Sequence, residues 1–329
     1  MKLSIRDVQA AKPEEWDHIW KNCDYSTYFH SREWAEIWKK YASASLIPEA
    51  RIIHFSDSTS ALLPCSYKRV LNGLFKQYLM SPAGTFGGWL SLDRLAEPHS
   101  ELMREYILGS YRNLVWRANP YNILALSPDA HAGGAEQTQS LNLECGFELI
   151  YSRWTKGHKA AAKQARKAGV MVREANSFQD WSDYFEVYED TLERWGDSAT
   201  ARYKWDIFRV MYECSSSNIK LWVAIYDDRV IAGAICLHAK EHVAYWHGAS
   251  LASCNKLRSV NLLMFEIIGR YCTDGYRWFD FNPSGDLNGV RAFKKSFGAE
   301  DLPCSVYSAR SELLQMLDSA VALKKKFFS

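Results

Sequence analysis

Between Tyr276 and Ala299 the chain sets out the residue types that polar chemistry needs. The stretch reads Tyr-Arg-Trp-Phe-Asp-Phe-Asn-Pro-Ser-Gly, then, from Gly289, Gly-Val-Arg-Ala-Phe-Lys-Lys-Ser-Phe-Gly-Ala. Trp278, Phe279 and Phe281 predict a short buried strand. Asp280 lies inside it, where an unpaired carboxylate would be costly. The chain then breaks at Pro283 and passes through Ser284, Gly285 and Gly289 into a short helix. That helix carries Phe293, Lys294, Lys295 and Phe297 and ends at Gly298. A strand end, a glycine-rich turn and a lysine-bearing helix can assemble a polar site on rigid elements. The combination points to an enzyme that handles an anionic or acylated group, with Asn282 and Ser284 of the turn as expected substrate contacts.

Other side chains extend this set. Gly157 to Ala168 is alanine-rich and strongly helical, and Gly169 can end it in a left-handed cap. Lys159, Lys163 and Lys167 recur every fourth residue and share one face, with Arg166 beside them. Like charges at this spacing repel, so the face is either simply solvated or holds a polyanion such as a pyrophosphate, a nucleotide or an RNA backbone. His247 titrates near neutrality in its unperturbed form, and Tyr245 stands two residues before it. Each is read either as a proton relay or as a structural group. Arg194 is read either as a ligand for an acidic substrate or as the partner of a neighbouring Glu.

The elements that must position these groups follow from pattern and punctuation. In the first half, strands are expected over 2–8, 51–55, 61–67, 122–126 and 147–154. Pro13 opens a helix bearing Trp16, Ile19 and Trp20, and Ser31 caps a second with Trp34, Ile37 and Trp38. A glycine- and aromatic-rich loop with a short strand covers 79–90, a helix covers 97–114, and 131–134 is a flexible connection. From Val170 the order is more regular. A strand over 170–175 leads to a helix from Ser177 to Arg194, with Asp180 at the capping-box position, and then to a helix over 203–214. Strands over 221–226, 230–238 and 242–249, a helix over 260–272, the Trp278 strand, the lysine helix and a strand over 305–309 complete it. Ser311 opens a terminal helix.

At 329 residues the chain has room for two ordinary domains, and 47% hydrophobic with 24% charged residues is a soluble globular mix. Aromatics reach 14%, which suits a filled core or a substrate groove. A net charge of +2 argues against broad nucleic-acid binding as the main task. The eight cysteines are scattered singly, without CxxC pairs or zinc spacing, so no metal is expected and the thiols are read as reduced and cytoplasmic. No apolar run approaches the length of a membrane span, and the first residues lack the core of a signal peptide. The expected location is therefore cytoplasmic. The basic-aromatic tail 324–328 is either a helix end or a contact with the inner face of a membrane.

The second half resembles the FemABX-like branch of the GNAT superfamily. The resemblance rests on Lys163 to Arg173, on Thr191 to Gly196, on Tyr245 to Ala249 and, most specifically, on the Phe-Asp-Phe…Gly-x-x-x-Phe-Lys-x-x-Phe-Gly block from Phe279 to Gly298. A weaker match lies at Tyr28 to Trp34. The order strand, two helices, three strands, helix, strand, helix, strand matches a GNAT domain, and the first half shows a looser version. The expected fold class is therefore α/β (α+β). It has two tandem GNAT-like domains, each a mixed, mostly antiparallel sheet flanked by helices. The expected boundaries are 1–154 and 155–329, with the basic helix 157–168 as connector and the active site in the second domain.

Such relatives form amide bonds on amines, some with an aminoacyl-tRNA donor on a peptidoglycan precursor, others with acyl-CoA. Acyl transfer to an amine requires deprotonation, oxyanion stabilisation and alignment. Lys294 aligns with the Lys of the Phe-Lys motif, where relatives stabilise developing negative charge. Asp280, His247 and Tyr245 are candidate bases or relays, and Asp280 equally suits a structural carboxylate of the turn. Many GNAT enzymes cradle the CoA pyrophosphate with a glycine turn before a helix N-terminus. Here the turn is Asn255 to Asn261 without glycines, so Arg258, Ser259 and Asn261, with Lys163 and Lys167, are the expected phosphate contacts. The missing glycines shift weight toward Fem-type relatives. The expected activity is an N-acyltransferase using acyl-CoA as co-substrate on a small-molecule or lipid-linked amine of the cell envelope or a polysaccharide precursor. The alternatives are an aminoacyl-tRNA-dependent transferase, with tRNA as partner, and a non-catalytic GNAT-fold binding protein.

Overall fold

The computed structural model describes residues 2–70, 73–111, 113–126, 135–199, 201–285 and 287–309. The first elements are β1 (Ile5–Ala10), α1 (Pro13–Asn22), α2 (Arg32–Tyr41), β2 (Leu46–Phe55), β3 (Ser60–Val70), β4 (Phe75–Leu79), β5 (Phe86–Gly87), α3 (Glu97–Ser110) and β6 (Leu114–Ala118). Next come β7 (Ala135–Asn142), α4 (Phe147–Arg153), α5 (Lys156–Lys167), β8 (Met171–Glu174), α6 (Phe178–Trp195) and α7 (Trp205–Glu213). The chain continues through β9 (Ile219–Tyr226), β10 (Arg229–His238), β11 (His242–Ser250), α8 (Ser259–Thr273), β12 (Trp278–Asp280), α9 (Asn288–Lys295) and β13 (Glu300–Ala309).

The chain divides into two compact units, one of residues 1–23, 29–136 and 303–329, the other of 24–28 and 137–302. The boundary expected after residue 154 falls inside the second unit. In the first unit the sheet runs β1-β2-β3-β4-β6-β13, with β5 beside β6. Its pairs are antiparallel except β4–β6 and β5–β6. In the second unit it runs β8-β9-β10-β11-β12-β7, antiparallel except β11–β12. Each sheet is thus mixed and mostly antiparallel, and the two share one plan. Apart from the two-residue β5, a strand, two helices, three strands, a helix and a parallel strand follow in order: β1 to β6 in one, β8 to β12 in the other. The closing antiparallel strand comes from elsewhere in the sequence, β13 for the first sheet and β7 for the second.

The first core gathers Ile53, Leu63, Met103 and Ile107 around Trp116, whose ring stacks on Tyr307 at 4.3 Å and whose indole N–H donates to the Gly87 carbonyl at 3.0 Å. In the second unit α8 packs on β9 and β10, and α6 packs on β10 and β11.

Some sequence expectations require correction. The strand expected over 147–154 is helix α4. Phe147, Ile150, Tyr151 and Trp154 recur at helical spacing, and the Phe147 and Tyr151 rings stack one turn apart at 5.7 Å. The strand expected over 122–126 is a 3-10 turn at Ile123–Ala125, and the strand of that region is β6. The helix from Glu97 stops at Ser110 rather than at Leu114. The 131–134 connection, the helix from Ser311 and the tail 324–328 lie outside the described residues.

The entry of α6 shows how local chemistry sets an element. The Ser177 hydroxyl accepts from the Asp180 N–H (3.1 Å), and the Asp180 carboxylate accepts from the N–H groups of Ser177 (3.2 Å) and Asn176 (2.9 Å). Arg173 adds two bonds to the same carboxylate at 2.7 and 2.9 Å. Arg173 first, then these N–H groups, hold the carboxyl at about 2, below its ordinary 3.8. A depressed carboxyl stabilises the fold above its unfolded pKa and loses that contribution as pH falls through the folded value. Asp180→Asn should cost about 1 kcal/mol at pH 7 by urea unfolding. The gap from wild type should close as pH falls from about 4 to about 2. A gap independent of pH would show that the charge contributes nothing.

Candidate active site

The site begins where two parallel strands part. β11 pairs with β12 only over His242–Ala244 against Trp278–Asp280. β11 then continues to Ser250 along β10, while the other chain turns away through Asn282, which takes a left-handed φ of 61°. The Asn282 side-chain amide donates to the Tyr245 carbonyl at 2.9 Å, so a side chain takes over where the backbone ladder stops. The register of β11 on β10 also shifts here: Ile235 faces His247, Cys236 faces Tyr245, and Trp246 is the extra residue.

Asp280 is fully buried at the end of β12. Its Oδ1 accepts from the Thr138 hydroxyl at 2.5 Å and from the Asn282 N–H at 2.6 Å, and its Oδ2 lies 3.7 Å from His242 Nε2. The Lys294 ammonium, 6% exposed, donates to the Asn282 carbonyl at 2.6 Å. Burial pushes that ammonium down to about 8, and the Asp280 charge opposes the shift. Ser284 donates to the Gln139 side-chain carbonyl at 2.6 Å, and the Phe281 N–H donates to the Gln139 backbone carbonyl at 2.8 Å. Lys295, next to Lys294 in sequence, instead pairs with Asp301 at 2.5 Å.

Tyr245 packs against Phe279 and Phe281, with its hydroxyl over Gly248. A Cβ at Gly248 would lie 1.7 Å from that hydroxyl, which is why no side chain fits there. Burial raises the Tyr245 phenol above its ordinary value. His247 is walled by Tyr188, Phe208, Tyr203 and Trp246, and its Nδ1 shares a 2.6 Å hydrogen bond with the Tyr184 hydroxyl. Burial pushes this imidazole down to about 3, so it is neutral at physiological pH.

The remaining predicted residues lie in other places. Arg258, exposed and left-handed at φ 56°, precedes α8. Ser259 and Asn261 are buried in its first turn, and the Asn261 amide meets His158 Nδ1 of α5 at 2.5 Å. Lys163 and Lys167 are exposed on α5. Lys163 lines a shallow apolar cleft with Tyr151, Ala162, Arg166, Leu262 and Phe265. Lys159, on the same face, is occupied by the Ser152 carbonyl at 2.7 Å. Arg194 at the end of α6 donates to the Ser250 carbonyl at 3.3 Å and approaches Asp190 at 3.9 Å. Asp280, Asn282, Ser284, Lys294 and the Tyr245 carbonyl therefore form one cluster, and the expected phosphate contacts belong to α5 and the start of α8.

Thr138, Gln139, His242, Tyr184 and His158 support these groups and have no counterpart in the sequence reading. Thr138 and Gln139 sit on β7, whose sequence AEQTQSLN shows no apolar alternation. The available signal was the buried Asp280 itself, which demanded a donor from some neighbouring element. Thr138→Val should strand that carboxylate and lower the urea-unfolding stability by about 1–3 kcal/mol, whereas Thr138→Ser should retain most of it. Equal stability of the valine and serine variants would remove the hydroxyl from this account.

Residues 153–295 match the family described as acetyltransferase (GNAT) domain. Among solved structures the chain is similar to FemX, with a TM-score of 0.69 at 12% identity over 94% of this chain and 99% of that one. It is also similar to a conserved protein of unknown function from Bacteroides thetaiotaomicron, with a TM-score of 0.53 at 8% identity over 91% of this chain and 99% of that one. No curated protein matches the chain by sequence. Among the described residues no helix is long and apolar enough to cross a membrane.

Proposed function

We propose that this chain, whose residues 153–295 form a GNAT-type domain on a FemABX-like fold, is an N-acyltransferase that delivers an activated carbonyl to an amine where β11 and β12 part. The observation that carries this reading is Lys294, a buried ammonium fixed by the Asn282 carbonyl beside that opening. The neutral amine of the acceptor attacks the carbonyl carbon, and the carbonyl oxygen takes up the negative charge. Lys294 offers a preorganised cationic donor to that oxygen in a site poor in water. The C–S bond of a thioester, or the C–O bond of an aminoacyl ester, then breaks. The proton lost by the amine passes to a relay that includes Tyr245 and neutral His247, and the leaving group is reprotonated. Asp280, bonded by Thr138 and Asn282, is assigned as a positioning residue, and Asn282 and Ser284 are assigned as substrate contacts at the turn beside it.

The donor is assigned as acyl-CoA, its phosphates met by Arg258 and the start of α8 together with Lys163 and Lys167. The acceptor is assigned as a small-molecule or lipid-linked amine of a cell-envelope or polysaccharide precursor. One observation favours an aminoacyl-tRNA donor instead. The turn before α8 puts an arginine, not a glycine, in the left-handed conformation, and Lys163 and Lys167 are exposed without a carboxylate partner among the described residues. Mass spectrometry of products after incubation with acyl-CoAs and with charged tRNAs separates the two. For tRNA, affinity should fall with salt and with Lys163→Ala/Lys167→Ala. Absence of product from either donor class would leave a binding protein.

The test of Lys294 is a pH profile. Activity should fall as pH rises through about 8, where the ammonium loses its proton. Lys294→Met should lose about a hundredfold or more in turnover. Lys294→Arg, which stays charged, should keep part of the activity and lose the falling limb. A rate that rises through this range would make Lys294 a base and overturn its assigned role.

A further inference from the structure

We infer that the β3–β4 hairpin of the first unit docks on the surface of an anionic lipid bilayer. Residues 66–79 carry Lys68, Arg69 and Lys76 and no carboxylate. The register puts Arg69 directly opposite Lys76, Lys68 opposite Gln77 and Val70 opposite Phe75. Like charges facing each other across an antiparallel pair weaken it, so nothing in the hairpin itself favours this choice. All three cations are exposed, and among the described residues none forms an ion pair. Glu49, the carboxylate of the neighbouring strand β2, is taken by Arg51 at 2.5 Å. The Lys76 ammonium stands 4.0 Å over the Tyr67 ring, which holds its stem along the strand near the tip.

Leu74 follows Gly73 at the turn and is 80% exposed. A single exposed leucine is ordinary on a protein surface. A leucine at the tip of a strand pair that bears three unpaired cations fits an interface that has both an anionic layer and an apolar layer beneath it. A nucleic-acid backbone would take the cations but would give nothing to an aliphatic tip, whose gain comes only from leaving water. Charge complementarity and the apolar tip therefore select the same occupant, a bilayer bearing anionic headgroups.

The test is co-sedimentation of the full chain with vesicles of phosphatidylcholine alone and of equal parts phosphatidylcholine and phosphatidylglycerol, at low and raised salt. Binding is expected only to the phosphatidylglycerol vesicles and should weaken with salt. Neutralising Lys68, Arg69 and Lys76 together to alanine should reduce the partition about a hundredfold, at roughly fivefold for each cation. Leu74→Ser alone should reduce it about tenfold, and it serves as the measure should the triple variant fail to fold by circular dichroism. Four results would overturn the inference: no binding to phosphatidylglycerol vesicles, equal binding to phosphatidylcholine, undiminished binding by the folded variants, or loss of tRNA binding without any vesicle binding.

Discussion

A carboxylate without solvent contact governs the second unit. Asp280 sits in an otherwise apolar strand, and an ion there is tolerated only when its lone pairs are met. Thr138 supplies a hydroxyl and Asn282 a backbone N–H. The bond to Asn282 has geometric consequences. It goes with the left-handed turn that takes the chain away from β11, and that turn aims the Asn282 carbonyl at Lys294 and its amide at Tyr245. The parting of two parallel strands, the placement of a buried ammonium and the shape of the opening thus follow from one charge satisfied locally.

Much of this was legible in the residues, and the rest was not, for identifiable reasons. The strand-helix-helix-strand order from Val170, the cap at Ser177 and the Phe-Asp-Phe segment are written in apolar period and capping chemistry. The cluster of Asp280, Asn282, Ser284 and Lys294 is close in sequence, so its proximity in space could be read directly. β7 could not. Thr138, Gln139 and Ser140 are buried polar residues whose partners lie 142, 145 and 139 residues away, so a polar string without apolar alternation forms a buried strand beside β12. α4 passes for a strand because Phe147 to Trp154 is short and aromatic, a composition that suits a strand until its spacing is counted.

The duplication is visible in topology and hidden in sequence. β1 to β6 and β8 to β12 repeat the same succession, and each repeat reaches a parallel pair, β4–β6 or β11–β12, after a helical crossover. The repeats differ in what fills the end of the sheet. In the second, polar side chains from β7 bond the strand that holds Asp280. In the first, Tyr307 of β13 lays an aromatic ring on Trp116. The same backbone plan carries polar chemistry in one copy and an apolar seal in the other.

The late arrival of β13 has a consequence for biosynthesis. β6 has its antiparallel partner at Val306–Ala309, almost two hundred residues downstream. Until the polymerising chain reaches that point, the first sheet presents β6 as a naked edge, and Trp116 lacks the ring that covers it. The first sheet therefore cannot be completed until residues 306–309 have been made, and its border stays open while residues 137–302 are synthesised.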